Sequence, residues 1–400
     1  MAMPLAPLAP EARLLLLCAG GADEATLRRA LVPPLDWPAV LRLAEREGAS
    51  PLLWERLAAL APEHLPRAAA ERLRALARVK QFKMRYMAQR VAETVAALDA
   101  AGIESVLLKG AALAVAAYGS FERRPMIDVD ILVRPTESEA ALAVLLDAGW
   151  QWREDRERHA DYGHLHHLPA LLDARGVEIS LELHTALLPA GQPFALDAAT
   201  VLASARRTAG GAPVPDPYLL LLHTCIHFVW GHMLRKGAVR SFRDVAVILA
   251  TFEVDPARFA AAARAARATT VCYWTLRLAA AVAGVAVPPA LLAPLRPPQP
   301  DLVLRALERH FALILLPGHL DCPSVTLRQL LWTVAVRPRR SGHGASRPWQ
   351  LLTLTPEEHR TRAAAMRREQ PPATASRAGT WMRYGRAVLL PPVAPGRVVL

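Results

Sequence analysis

The spacing of apolar residues changes three times along the chain. Over the first hundred residues apolar side chains recur with a period near 3.6, which is typical of amphipathic helices. Asp36 followed by Pro38 has the character of a helix N-terminus. A longer helix is predicted over residues 68–100, with Gly102 ending it. The sequence therefore begins with a helical region.

Short strands replace the helices after this point. Residues 103–108 form an apolar, partly β-branched run that ends in Lys109 and Gly110, and a helical composition follows, so a strand, a tight turn and a helix are predicted. Residues 128–133 alternate polar and apolar side chains, as a half-buried strand does. A helix over 136–148 is predicted to follow this strand.

Two more strands complete this region. They are predicted over residues 164–172 and 177–184, on either side of a hairpin turn at 173–176. From residue 217 the period is helical again, as far as about residue 283. These patterns together predict a helix-rich α+β protein with a small mixed or antiparallel sheet between two helical regions.

The rest of the chain beyond residue 336 is rich in Arg, Pro and small residues, which predicts loops or partial disorder except for a helix near 356–369. The chain as a whole then divides into four parts. These are a helical N-terminal region (1–101), a core (102–200), a helical C-terminal domain (201–336) and a basic tail (337–400).

Composition limits the choice of partners. The net charge is +12, but the last 64 residues hold twelve arginines against three glutamates, a net +9, and the first 336 residues carry the remaining +3. A basic excess favours nucleic acid or anionic membranes as partners, so this argument applies to the tail and hardly to the body. Four widely separated cysteines argue against a disulfide framework or zinc ribbon. With no run of roughly 20 apolar residues, a cytoplasmic protein without a membrane segment is predicted.

Acidic residues gather on two of the predicted strands. The period of two places Asp128 and Asp130 on one strand face, and it places Glu182 and His184 on one face of the later strand. Carboxylates about 7 Å apart on a rigid strand repel each other and are stabilised by a divalent cation. If the strands are neighbours, Glu182 can be a third metal ligand. The alternative is a pair of ordinary strands whose polar faces meet water.

The turn upstream of the aspartates adds a candidate anion site. Gly110 lets the backbone approach a phosphate, and the N-terminus of the following helix favours an anion. Lys109 at this turn is one of only four lysines, against 44 arginines, and its compact ammonium can bind phosphate. A lysine placed there by chance at the end of a strand remains the alternative.

In this order the motifs resemble the uncharacterised nucleotidyltransferases of the DNA polymerase beta-like superfamily. The residues that carry the resemblance are Leu108-Lys109-Gly110, Arg123 or Arg124, Asp128-Val129-Asp130-Ile131-Leu132-Val133 and Glu182-Leu183-His184. The resemblance extends upstream to Asp36-Trp37 through Leu57 and downstream to a histidine-rich helix at 223–232. It implies a polymerase-beta-like core over residues 102–200. Better-studied members carry a small or hydroxyl residue after the glycine, where this chain has Ala111 and Ala112.

The resemblance also implies a mechanism. A nucleoside monophosphate moves from NTP to an acceptor that the sequence does not identify, whether a small molecule, a modified peptide or a protein. Asp128, Asp130 and Glu182 are the implied catalytic residues and hold two Mg²⁺ ions, with Mn²⁺ as the alternative metal. The nucleotide-binding residues that it implies are Lys109, Gly110, Arg123, Arg124 and His184.

Two other functions stay open. A catalytically inactive nucleotide-binding or interaction protein of the same fold is compatible with the missing hydroxyl residue. An enzyme acting on nucleic acid would use the basic tail, but few aromatic residues are available there for base stacking, so this function is not favoured.

Several histidines and one acid have more than one interpretation. His223, His227 and His232 are spaced to bind a metal from one helix face, to line a cleft against the core, or to be satisfied within the helix. His164, His166 and His167 contact a substrate or are structural, and His184 can support a metal ligand. Asp244 is interpreted as an acid favoured by the dipole at the start of a helix.

Overall fold

The protein is described by a computed structural model over most of its length. The described residues are 8–32, 34–58, 64–153, 166–189, 192–316, 322–336 and 377–390. The predicted class is confirmed: the chain is a helix-rich α+β protein with a small mixed sheet.

Five helices form the N-terminal part. They are α1 (Pro10–Gly20), α2 (Glu24–Leu31), α3 (Trp37–Glu47), α4 (Ser50–Ala58) and α5 (Arg67–Ala100). The carboxylate of Asp36 accepts a hydrogen bond from the Ala39 amide at 3.1 Å, so the predicted start of α3 is confirmed. Gly102, with φ of 71°, follows the end of α5 as the sequence indicates.

A five-stranded sheet follows the long helix α5. Its strands are β1 (Ser105–Leu107), β2 (Asp128–Val133), β3 (Trp150–Trp152), β4 (Leu171–Asp173) and β5 (Ser180–His184), in the order β1-β2-β5-β4-β3. Strands β2 and β5 are parallel, and the other neighbours are antiparallel. The bounds of β2 agree with the prediction. Strand β3 was not predicted, and the fourth strand starts later than expected, at Leu171.

Helix α6 (Lys109–Ala116) connects β1 to β2, and α7 (Ser138–Asp147) follows β2. Later in the chain, β6 (Arg206–Arg207) and β7 (Pro213–Val214) pair with each other as a separate two-stranded antiparallel sheet. Because β1 ends at Leu107 and α6 begins at Lys109, the predicted strand, turn and helix around Lys109 are confirmed.

The remaining helices belong to the C-terminal part. They are α8 (Ala198–Ala203), α9 (Pro217–Ile226), α10 (Ala238–Thr251), α11 (Pro256–Ala265), α12 (Thr269–Ala283), α13 (Pro289–Leu292), α14 (Asp301–Ile314), α15 (Val325–Val336) and α16 (Arg377–Leu389). Helix α9 runs directly into a π-helical turn at His227–Gly231. Helix α1 packs against α10 and α12, so helices from both ends of the chain share one hydrophobic core.

The described part of the tail differs from its prediction. Residues 377–389 were expected to lack helix, yet α16 packs against α14. The hydroxyl of Tyr384 lies 2.8 Å from His310 Nδ1, and Tyr384 and Val388 are buried at this contact. Apolar burial therefore outweighs the loop-forming composition around the helix. Residues 337–376 and 391–400, with the helix expected near 356–369, lie outside the described residues.

Long apolar segments do not occur among the described helices. Across the described ranges, no helix combines the length and the hydropathy that crossing a bilayer requires.

Candidate active site

The parallel pairing of β2 with β5 brings the acidic residues together. Asp130 is the register partner of Glu182, Asp128 pairs with Ser180, and Leu132 pairs with His184. Because the side-chain period is two on both strands, Asp130 and Glu182 lie on the same face. The apolar residues between them are buried in the core. The two strands are thus neighbours, which was the condition for Glu182 to join the aspartates.

Asp130 is the centre of this group. Its Oδ1 atom accepts hydrogen bonds from Lys109 Nζ at 2.5 Å and from His184 Nε2 at 2.8 Å. Only 3% of Asp130 is exposed. Burial alone would raise the pKa of this carboxyl, but the hydrogen bond from His184 and the charge of Lys109 outweigh burial and lower it. Asp130 is therefore an ionised carboxylate held between two cations.

His184 is fully buried and bridges the two strands. Its Nε2 lies 3.5 Å from Glu182 Oε2 in addition to its contact with Asp130, and its Nδ1 lies 3.2 Å from the carbonyl oxygen of Ala186. Burial lowers the pKa of His184, but the hydrogen bonds to Asp130 and Glu182 outweigh it and raise the pKa. Acceptors at both ring nitrogens are satisfied together only by an imidazolium.

The other two carboxylates differ in their electrostatics. The hydrogen bond with His184 lowers the pKa of Glu182, although burial and the charge of Asp130 oppose this. For Asp128, burial and the negative charges of Asp130 and Glu182 raise the pKa. The neighbouring carboxylates thus destabilise the ionised form of Asp128, as the sequence predicted for paired acids. At Glu182 the hydrogen bond with His184 outweighs the same repulsion.

Lys109 occupies the turn that the sequence singled out. Its φ of 46° lies in the left-handed region, which is uncommon for a residue with a side chain and indicates local strain. The amide of Leu108 donates to the Asp130 carbonyl at 2.9 Å, so the turn is fixed against β2. Burial lowers the pKa of the Lys109 ammonium, but Asp130, Glu182 and Asp128 outweigh it and raise the pKa.

Gly110 lines the same cleft, but its φ is not positive. A Cβ added at Gly110 would lie 3.3 Å from the sulfur of Met126, so the absence of a side chain is explained at least in part by this packing. The turn therefore places its conformational strain on the lysine, one residue before the glycine.

These five residues, Lys109, Asp128, Asp130, Glu182 and His184, are called the acidic centre below. Ligand atoms of Asp130, Glu182 and His184 all lie within 4.8 Å of one another. Among the residues that the structure describes, no other set of three His, Cys, Asp or Glu side chains converges in this way. The carboxylates of the acidic centre are thus the oxygen ligands that a hard divalent cation prefers, and His184 lies beside them.

Helices α9 and α10 face the acidic centre across a cleft. Four residues of these helices and of the segment between them line the cleft and are called the helix wall: His223, His227, His232 and Arg240. Burial lowers the pKa of His223 to about 3, with the charge of Lys109 adding to the effect, and it lowers the pKa of His232 to about 4. Burial also lowers the pKa of His227. The three histidines are neutral at pH 7 and line the cleft, which was one of their three interpretations.

Of the two predicted arginines, Arg124 lines the cleft. Its Nε and Nη2 atoms donate to the two carboxylate oxygens of Asp244 at 2.6 and 2.8 Å, whereas Arg123 is exposed outside the cleft lining. The hydroxyl of Tyr118 donates to the same carboxylate at 2.7 Å. Burial lowers the pKa of Arg124, but Asp244 outweighs burial and raises it. This ion pair joins the segment before β2 to α10.

The interpretation of Asp244 as an acid at a helix start was wrong. Helix α10 begins at Ala238, so Asp244 lies in the second turn, beyond the reach of the dipole effect, and it is 3% exposed. Arg240, one turn earlier, was also missed. The available signal was a charged pair spaced i, i+4 on a helix whose neighbouring positions are apolar.

Two of the other predicted histidines, His166 and His167, lie beside β5. His167 Nε2 is 4.0 Å from Glu182 Oε2, and its ring centroid is 5.0 Å from that of His184. Burial, with His167 and His184 adding to the effect, lowers the pKa of His166 to about 4. His164 lies outside the described residues.

The fold and the site together define a class: a helix-rich α+β protein whose adjacent parallel strands carry a carboxylate and histidine centre beside a strand-to-helix turn. Within this class the chain has a defined family. A family model described as uncharacterised nucleotidyltransferase matches residues 33–284, well over half of the chain, and the chain belongs to this family. Membership supports nucleotidyl transfer as the general activity, with an NTP as substrate. Comparisons with curated proteins and with solved structures give no match.

Proposed function

We propose that the protein is a Mg²⁺-dependent enzyme that transfers a nucleoside monophosphate from an NTP to an acceptor hydroxyl on a small molecule, a modified peptide or a protein. One observation carries the proposal. Three carboxylates, Asp128, Asp130 and Glu182, lie on neighbouring parallel strands beside the lysine of a strand-to-helix turn. The family supplies the reaction class.

The acidic centre fits divalent metal ions. Hard cations such as Mg²⁺ bind carboxylate oxygens, and Asp128, Asp130 and Glu182 would hold two ions, with Mn²⁺ as an alternative. The raised pKa of Asp128, caused by burial and by Asp130 and Glu182, shows a local excess of negative charge that cations would relieve. When bound, Mg²⁺ neutralises phosphate oxygens and lowers the pKa of an acceptor hydroxyl.

The cations of the cleft would bind the phosphates. Lys109 stands at the N-terminus of α6, where unpaired backbone amides and the helix dipole also favour an anion. Its ammonium would neutralise charge that develops as pyrophosphate leaves. The ion pair with Asp244 fixes the Arg124 guanidinium, which would present its positive charge to the phosphates from a fixed position.

The histidines of the helix wall would act without charge. Neutral imidazoles offer one donor and one acceptor each, so His223, His227 and His232 can orient a substrate without repelling Mg²⁺. His184 would hold Asp130 and Glu182 in place from behind.

The test is incubation of the full-length protein with each α-labelled NTP, Mg²⁺ and a cell extract, followed by identification of the labelled product. The Asp128→Asn/Asp130→Asn double variant is compared with Glu178→Gln. Glu178 follows the same alternation as Glu182, but its side chain is 97% exposed, which makes it a matched control. We expect label transfer and pyrophosphate release by the wild type and by Glu178→Gln, and neither by the double variant.

Other outcomes would contradict the proposal. Nucleotide binding without transfer across a broad range of acceptors would indicate an inactive nucleotide-binding protein. Equal transfer by the double variant and the wild type would show that the acidic centre is not the catalytic site.

A further inference from the structure

Arg240 differs from Lys109 and Arg124 because it has no ion-pair partner among the residues that the structure describes. Lys109 pairs with Asp130, and Arg124 pairs with Asp244. Arg240 lines the cleft from α10 and is partly buried. Within the described ranges of the chain, no hydrogen bond or ion pair joins its guanidinium to another residue.

Three carboxylates lie near Arg240, and two of them are already hydrogen-bonded to other groups. Glu47, buried beneath α10, accepts a hydrogen bond from the Val239 amide at 3.3 Å, and Asp244 is held by Arg124 and Tyr118. Asp128 belongs to the acidic centre. Burial and the charge of Arg124 lower the pKa of Arg240 in spite of these three acids. A guanidinium that is partly removed from water without an ion pair is unfavourable unless a ligand supplies the anion.

The backbone segment before α10 lies against the Arg240 side chain and includes several residues with positive φ. Gly237, with φ of 70°, precedes α10, and a Cβ at this glycine would lie 3.7 Å from Arg240 Nη2 and 3.5 Å from His232 Cδ2. Both side chains thus lie close to Gly237. Met233 and Leu234 also have positive φ values of 50° and 60°, an uncommon conformation for residues with side chains. Such strain concentrates at ligand-binding segments.

We infer that Arg240 binds two oxygens of the polyphosphate end of the nucleotide, opposite Lys109. This inference rests on the proposed function. A planar guanidinium matches phosphate oxygens in a bidentate geometry. The strand side of the same cleft presents Lys109 and the N-terminus of α6. Positive groups on both sides of one cleft suit a chain of phosphates that extends between them, whereas a single carboxylate would satisfy only one side.

Calorimetric titration tests the inference on full-length protein in Mg²⁺ buffer without an acceptor. The probes are pyrophosphate, an NTP and the corresponding nucleoside, and the variants are Arg240→Gln, Arg240→Lys and Arg243→Gln. Arg243 lies on the same helix but outside the cleft lining, with its Nη1 atom near Gly21, and is the matched control.

We expect Arg240→Gln to weaken binding of pyrophosphate and the NTP by about 10- to 100-fold, the effect of losing a charged hydrogen-bonding group. Nucleoside binding should not change. Arg240→Lys keeps the charge but loses the fork, so it should lie between the wild type and Arg240→Gln. It also serves as the folded variant should glutamine disturb α10. Arg243→Gln should bind as the wild type does.

Wild-type affinity of both Arg240 variants for pyrophosphate and NTP would overturn the inference. If transfer were still lost in Asp130→Asn, the proposed function would stand without it. If the wild type bound neither pyrophosphate nor any NTP, both would be wrong. An Arg240→Gln enzyme that raised only the KM for the acceptor would assign the residue to the other substrate and also contradict the inference.

Discussion

The two sides of the cleft satisfy their buried polar groups in different ways. In the acidic centre Lys109 and His184 each pair with the carboxylate of Asp130. In the helix wall burial keeps His223 and His232 neutral, and Arg240 has no partner among the described residues. Paired charges are held rigidly before any ligand arrives, whereas unpaired donors depend on the ligand to be satisfied. Under the proposed function, the strands would carry the chemistry and the helices would recognise the substrate.

The largest expected effect comes from the acidic centre. Asp128→Asn and Asp130→Asn should each reduce transfer by more than about 10³-fold, because catalytic groups that act as a unit lose most of the rate when one is removed. Stability should separate them. Asp130→Asn removes the carboxylate that pairs with Lys109 and one of the two that contact His184, and it should destabilise the fold, whereas Asp128→Asn removes a repelled carboxylate and should not. Initial rates and urea unfolding measure both effects, and equal stability losses would contradict the distinction.

The ion pair between the two sides should have the next largest effect. Asp244→Asn leaves Arg124 buried without its charge partner, and we expect a loss of about 3–5 kcal/mol in the free energy of unfolding. The exposed pair of Arg207 and Asp99 is the matched control, and Asp99→Asn should cost less than about 1 kcal/mol. Denaturant unfolding of both variants gives the comparison. Similar costs would mean that the buried pair does not hold α10 to the sheet.

The neutral histidines predict an acid-sensitive stability. The pKa of His232 is lowered by burial from 6.5 to about 4, so between these values the unfolded chain binds the proton more readily than the folded chain. The contribution of His232 is therefore complete above pH 6.5 and is lost as the pH falls toward 4. The slope is on the order of 1 kcal/mol per pH unit.

The variant His232→Gln should reduce this dependence of the free energy of unfolding on pH. His64→Gln, at an exposed position, is the control and should leave the dependence unchanged. Urea unfolding from pH 7.5 to 4.5 provides the measurement. If the free energy of unfolding of His232→Gln changed with pH as steeply as that of the wild type, His232 would not be a source of the acid sensitivity.

Gly110→Ala should have the smallest effect. Alanine gains helix propensity of about 1 kcal/mol over glycine, and the flexible thioether of Met126 must move away from a Cβ that would lie 3.3 Å from its sulfur. The two terms nearly cancel, so stability should change by less than about 1 kcal/mol. Titration with NTP then tests the turn. Unchanged affinity would indicate that Gly110 serves packing, and weaker binding would indicate close approach of phosphate to the backbone.

Local patterns predicted the acidic centre, but for the helix wall they gave only one of three interpretations of its histidines and missed Arg240. The alternation around Asp128 and Asp130 defined β2 with its correct bounds, and the same period placed Glu182 and His184 on one face. The convergence of these residues required β2 and β5 to be neighbours, and the sequence pattern alone could not establish that pairing. Strand β3 has only three residues, and its pairing with β4 defines it, so no local period could indicate it.

The ion pair that joins α10 to the segment before β2 links residues far apart along the chain. Asp244 binds Arg124, 120 positions earlier, and such a contact has no local signature. The choice between Arg123 and Arg124 depended on a 3-10 turn, Phe121–Arg123, which leaves one arginine exposed and directs the other toward α10. The predicted division of the chain into four parts stays a prediction, as do the roles assigned to the site residues.

The parallel pairing of β2 with β5 has a consequence for how the protein folds. A parallel pair needs a crossover connection, and here α7, β3 and β4 intervene between the two acidic strands. Contacts between residues so distant in sequence carry a high loop-closure entropy and form late. Asp130 and Glu182 should thus remain apart until most of the sheet exists, and His184 arrives on the same strand as Glu182. The carboxylates therefore do not cluster in the unfolded chain before His184 is present to neutralise part of their charge. The candidate active site forms only when the rest of the fold is almost complete.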